Sequence, residues 1–275
     1  LNNYGQTNVP VGLSGVTAIA AGDAHTVALK SDGTVVAWGA GTSTNIAPES
    51  GQSIVPPGLS GVIAIAAGDM HTVALKSDGT VVAWGYNAAG QTSVPAGLNG
   101  VVAISADGFN GGHTVALKNT GVVVAWGAGT NATGLNPEYG QSIVPANLSG
   151  VVAVKAGDTH TVALKGDGTV VAWGAGTIFS GSYPHYGQSI IPANLSGVIA
   201  IAAGDTHTVA LKNDGTVVAW GAGTTSTGNE PNFGQSIVPL GLSGVTAIAA
   251  GGYNTAVIVG AVPTSIFAQP TGQSF

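Results

Sequence analysis

One motif, repeated six times, constrains this chain more than any other feature. The unit reads Gly-Val-x-Ala-Ile-Ala-Ala-Gly-Asp-x-His-Thr-Val-Ala-Leu-Lys-x-Asp-Gly-Thr-Val-Val-Ala-Trp-Gly. A variable loop follows, then Gly-Gln-Ser-Ile-Val-Pro. Its leading glycines are Gly15, Gly61, Gly100, Gly150, Gly197 and Gly244. Trp38, Trp84, Trp126, Trp173 and Trp220 mark five copies, at intervals of 46, 42, 47 and 47 residues. Self-similarity at such a period is the signature of an array whose units bury their faces on one another.

Each unit supplies four short segments rich in Val, Ile, Thr and Ala, bounded by turn residues. In the first unit these are 16–21, 25–30, 34–38 and 52–55. Asp32-Gly33, Asp78-Gly79, Asp167-Gly168 and Asp214-Gly215 read as two-residue hairpin turns with both central residues at positive φ. Thr120-Gly121 reads as a poorer version. The segments are apolar on both faces, as in sheets covered on both sides. The fold class expected is all-β, a β-propeller of six four-stranded units. The unit count gives six first strands, six second, five Trp strands and six Gly-Gln strands. The ring is therefore expected to close by pairing the N-terminal segment 4–10 with the last unit, 244–260. Domain organisation follows as a propeller over 1–260. Residues 261–275 read as a linker or the first strand of an immunoglobulin-like domain.

Only 7% of the residues are charged, the net charge is -6, and the six basic residues are all lysines. Nucleic-acid binding needs dense basic patches and Arg, so no nucleic-acid partner is expected. No apolar stretch reaches the length of a membrane span. With no cysteine and a single methionine, Met70, the chain offers no disulfide or thiolate ligand. That composition suits an oxidising setting, so a secreted or cell-surface location is expected.

The run Ala-Ile-Ala-Ala-Gly-x-x-His-Thr-Val-Ala-Leu-Lys-x-Asp-Gly, closed by Trp-Gly and Gly-Gln, resembles the repeat of the regulator of chromosome condensation family. Gly90-Gln91-Thr92-Ser93-Val94-Pro95 is similar to the secreted bacterial branch of that family. The resemblance implies a propeller with a binding role and no cofactor. The Arg and acidic-loop features of the eukaryotic exchange factors are absent.

Asp23-x-His25 recurs as Asp69-x-His71, Asp158-x-His160 and Asp205-x-His207, and the third unit keeps His113 after an insertion. A carboxylate beside an imidazole suggests a hydrolase or lyase centre or a metal. A catalytic constellation is normally unique, however. The copies are better read as turn caps, with His25, His71, His113, His160 and His207 bonded to backbone. No catalytic residue and no metal ligand is assigned. Trp38, Trp84, Trp126, Trp173 and Trp220 are read as packing between units.

Function is expected where the copies differ. The loops 40–50, 86–89, 128–139, 175–186 and 222–233 all follow Trp-Gly, and such insertions map to one face. Their binding rim is assigned to Glu49, Glu138, Tyr139, Tyr183, His185, Tyr186, Glu230 and Phe233. The reading that follows is a non-enzymatic module for a protein or glycan partner. The alternative is a self-assembling surface or fibre protein, a homo-oligomer or filament joined through the open last blade and the tail.

Overall fold

A computed structural model of the chain describes residues 2–42, 50–108, 112–229 and 232–260. Among the described residues every element is a β-strand. Blade one is β1 (Val16–Ala21), β2 (His25–Lys30) and β3 (Val35–Gly39), and blade two is β4 (Val62–Ala67), β5 (His71–Lys76) and β6 (Val81–Gly85). Blade three is β7 (Val101–Asp107), β8 (His113–Lys118) and β9 (Val123–Gly127), followed by a loop ribbon, β10 (Ala132–Leu135) and β11 (Glu138–Tyr139). Blade four is β12 (Val151–Ala156), β13 (His160–Lys165) and β14 (Val170–Gly174), with the ribbon β15 (Phe179–Ser182) and β16 (His185–Tyr186). Blade five is β17 (Val198–Ala203), β18 (His207–Lys212) and β19 (Val217–Gly221), with the ribbon β20 (Ser226–Asn229) and β21 (Asn232–Phe233). Blade six has only β22 (Val245–Gly251) and β23 (Asn254–Val259).

Blades one to five are three-stranded antiparallel meanders with the second strand in the middle. The expected fourth strand does not form. The Gly-Gln-Ser-Ile-Val segments are turns and irregular backbone that pack between blades. The hairpins also differ from expectation. Gly33 Nα bonds to Lys30 O, and Lys30 Nα to Thr34 O, which closes a three-residue loop. Only the glycine has positive φ, 77° at Gly33 and 78° at Gly121. The residue before it needs no positive φ, so Thr120 is accommodated, while Asp32 adds bonds from Thr34 Nα, Thr34 Oγ1 and Lys30 Nζ.

First strands of adjacent blades pack on one another in the series β1, β4, β7, β12, β17, β22, which puts the Ala-rich strands on the inside of the array. Each joint is a dry cluster. Ile65, at 0% exposure, and Trp84 of blade two sit on Ala18, Ala20, Val27 and Leu29 of blade one. The same pattern joins blades two to three, three to four, four to five and five to six.

Among the described residues no sheet closes the array through the termini. The N-terminal Gly-Gln segment does not add to blade six. Gln6 O accepts from Thr26 Oγ1 and Trp38 Nε1 of blade one, both at 2.9 Å. Ile19 of blade one is 46% exposed where its counterpart Ile65 is buried. The described strands form an open array of six blades with no sheet joining first to last.

Candidate functional site

A hydrogen-bonded belt holds the blades in register. Each Gly-Gln segment presents its Gln carbonyl to the following blade. Gln141 O accepts from Thr161 Oγ1 at 2.8 Å and from Trp173 Nε1 at 2.9 Å. The pattern holds at Gln6, Gln52, Gln91 and Gln188. The Gln side chain turns inward, and its Oε1 accepts the backbone N–H two residues before it, as at Tyr186 to Gln188, 3.0 Å.

The histidines complete the belt. His25, His71, His113, His160 and His207 meet Thr72, Thr114, Thr161, Thr208 and Thr255 of the next blade, at 2.7–3.1 Å through Nε2. Each threonine already donates its proton to a Gln carbonyl, so the imidazole must be the donor. The network thereby assigns the neutral Nε2–H tautomer. Nδ1 of His25, His113, His160 and His207 is buried with no partner. Burial pushes His71, His113 and His160 down to about 3, and His25 and His207 down to about 4. The glycine three residues before the His is forced by contact. A Cβ on Gly22, Gly68, Gly157 or Gly204 would lie 2.3–2.5 Å from the imidazole Cε1. The histidines are structural, as expected, but their main partner is a hydroxyl of the neighbouring blade rather than backbone.

The aspartates of the same motif behave differently. They lie in the turns between first and second strands, at the end where the long loops emerge. Asp69 is pushed up to about 8 by burial and then by Asp205, Asp158 and Asp23. Asp107 is raised by burial and by Asp69, Asp205 and Asp158. The carboxylates of these turns therefore repel one another from blade to blade. Among the described residues no group of three or more His, Cys, Asp or Glu is close enough to hold a metal ion.

The loop ribbons roof this acidic centre. Tyr183 donates to Asp158 Oδ2 at 3.0 Å, and burial followed by Asp158 raises its phenol well above the usual range. Tyr139 stands edge-on to His185 with ring centroids 6.2 Å apart, joining the loops of blades three and four. Tyr139 is itself raised by burial and by Asp158. Phe233 packs on Tyr253 of blade six at 5.2 Å.

Other rim residues brace their loops. Glu138 Oε2 accepts from Asn131 Nα, and His185 Nδ1 accepts from Gly176 Nα. Tyr186 Nα is the belt donor already named. Glu49 and Glu230 lie outside the described residues. The sequence reading did not assign the aspartates to this rim, nor Tyr253 or the Gln keystones. Repetition had marked the Asp and Gln positions as structural.

Blades with inner first strands, stitched through His, Thr and Gln around an acidic centre, define a propeller-type repeat protein. The regulator of chromosome condensation (RCC1) repeat matches residues 16–44, 62–91, 151–177 and 198–226. These are units one, two, four and five, and over them the chain is similar to RCC1-repeat proteins. Units three and six fall outside the match; the third carries the insertion before His113 and the sixth has no Trp strand. No curated protein sequence matches the chain.

Solved structures share the fold. Human WBSCR16 superposes with a TM-score of 0.63 at 19% identity, over 90% of this chain and 72% of that one. Prp20p from Saccharomyces cerevisiae, a structure described with its binding properties to Gsp1p and histones, gives 0.62 at 23% identity over 86% and 67%. Yeast RCC1 (Prp20) bound to Kap60 gives 0.63 at 21% identity over 91% and 69%.

Proposed function

We propose that this chain is a protein-binding module whose loop face receives a basic segment of its partner. The carrying observation is the mutual repulsion of Asp69, Asp107 and Asp158, with Tyr183 of the long loop bonded to Asp158. Carboxylates that share one half-buried space repel one another, and a Lys or Arg side chain relieves that repulsion. The flanking rings supply contact area and cation–π faces. The described use of the same fold in Prp20p, with Gsp1p and histones, supports a protein partner. An extracellular setting is part of the proposal, supported by the absence of cysteine and the single methionine.

The test is a displayed random peptide library selected on the chain. Lys- and Arg-rich sequences should be enriched. Their affinity should fall with salt and rise as pH passes through about 8, because Asp69 must lose a proton to pair with a cation. Asp69→Asn with Asp158→Asn should weaken binding at least tenfold. Hits without charge bias, or binding indifferent to that double substitution in a folded protein, would show that the acidic centre is not the site.

A further inference from the structure

Among the described residues blade six has no third strand, and a groove lies at the place that strand takes in the other blades. In the intact blades the Trp of the third strand enters a socket at the joint. Trp220 packs against Val170, Ala172, Ile191, Leu195 and Ala210. The equivalent positions one blade on are Val217, Ala219, Val238, Leu242 and Val257. They cluster without an aromatic ring. These five residues line a cavity of about 180 Å³ together with Thr255 and Pro239. Beside it the outer edge of β23 carries no partner strand among the described residues. An unpaired edge next to an apolar socket is what strand addition requires.

We infer that blade six is an acceptor for an extended segment of the type Val-Val-Ala-Trp-Gly, pairing antiparallel with β23 and placing its indole in the groove. The occupant is defined by continuity with the other joints. β3, β6, β9, β14 and β19 all carry this sequence and all lie antiparallel to their middle strand, and β6, β9, β14 and β19 place the Trp in a cluster with the counterparts of these lining residues.

The chain has no spare copy. All five of its Trp strands are committed to their own sheets. Its tail places Phe267 eight residues after Val259, as Trp220 stands eight after Lys212. That register puts Val262, followed by proline, at the hairpin position where Gly215 has φ 78°. The tail therefore departs from the repeat sequence at the turn, with Val262-Pro263 where the other units carry glycine.

The N-terminal segment has a counterpart within the chain. Thr7 Nα bonds to Asn2 Oδ1 and Tyr4 Nα to Gln6 Oε1. Thr92 Nα to Asn87 Oδ1 and Ala89 Nα to Gln91 Oε1 repeat both bonds in the loop that directly follows β6. Residues 2–7 thus repeat the local hydrogen bonds of residues 87–92.

The experiment titrates the full chain with a fluorescein-labelled peptide Asp-Gly-Thr-Val-Val-Ala-Trp-Gly, read by anisotropy, with hydrogen exchange to locate it. Saturable binding is expected. A peptide with Ala in place of Trp should bind at least tenfold more weakly, and amide protection should appear over 254–259. No binding at millimolar peptide, equal binding of the Ala peptide, or protection elsewhere overturns the inference. Binding to the Phe267→Ala chain but not to the unsubstituted one overturns it too, and gives the groove to the tail.

Discussion

Blades five and six begin with the same two strands, yet only one of them is a core. Leu211 of β18 is 1% exposed, while Ile258, at the same place in β23, is 40% exposed. Val209 is fully buried, while its counterpart Ala256 is exposed. The difference lies in what stands alongside. β18 has a third strand at its edge and another blade on its forward face, and among the described residues β23 has neither. At the other end, Ile19 and Ile65 make the same comparison in mirror image. In a repeat array stability is shared between units and their nearest-neighbour joints, so identical residues carry different weights by position.

Acid should produce the largest effect. The five belt histidines are neutral when folded and have folded pKa values of about 3 to 4, against 6.5 unfolded. The unfolded chain therefore binds more protons in that window. Stability is fully present above 6.5 and is lost as pH falls toward 4. Asp69 has the opposite sign. Its contribution is present below 3.8 and is lost as pH rises through about 8. Urea unfolding across pH should show a maximum near 6.5, a steep acid limb and a shallower alkaline one. By NMR, the end histidines His25 and His207 should titrate before the central three. Simultaneous titration of all five would break the distinction between ends and middle.

Next comes side-chain truncation at the joints. Ile104→Ala removes a side chain 1% exposed, in the joint of blades two and three, and should cost about 2–5 kcal/mol. Ile19→Ala, at the same strand position but half-open to solvent, should cost less than about 1 kcal/mol. Chemical denaturation of both variants decides it. Equal losses would mean that blade one is covered in solution.

The smallest contrast is in the belt. Thr161→Val removes a hydroxyl that accepts from His113 and donates to Gln141 O. It strands buried polar groups and should cost about 1–3 kcal/mol. Thr26 bonds only to Gln6 O, with no histidine arriving from a preceding blade. Thr26→Val should cost about half as much, read from the same denaturation curves.

The repeat, its strand order and the all-β class were legible from the sequence, because period, turn glycines and β-branched runs are local properties. β1 and β2 have the bounds expected from the motif. Tertiary structure decided three things. The Gly-Gln segments became carbonyl keystones rather than strands, because each is captured by a Thr and a Trp of the next unit. The aspartates of the repeated turns came to repel one another across blades, because stacking of the units brings turns distant in sequence to the same end. The place of the N-terminal segment was decided in the same way. Counting strands balances a ring on paper, whereas Gln6 is claimed by Thr26 and Trp38 of its own neighbour, and among the described residues no strand pairs with the outer edge of β23. Pattern in the chain fixes what each unit is, and contact between units fixes which copies become core, joint or site.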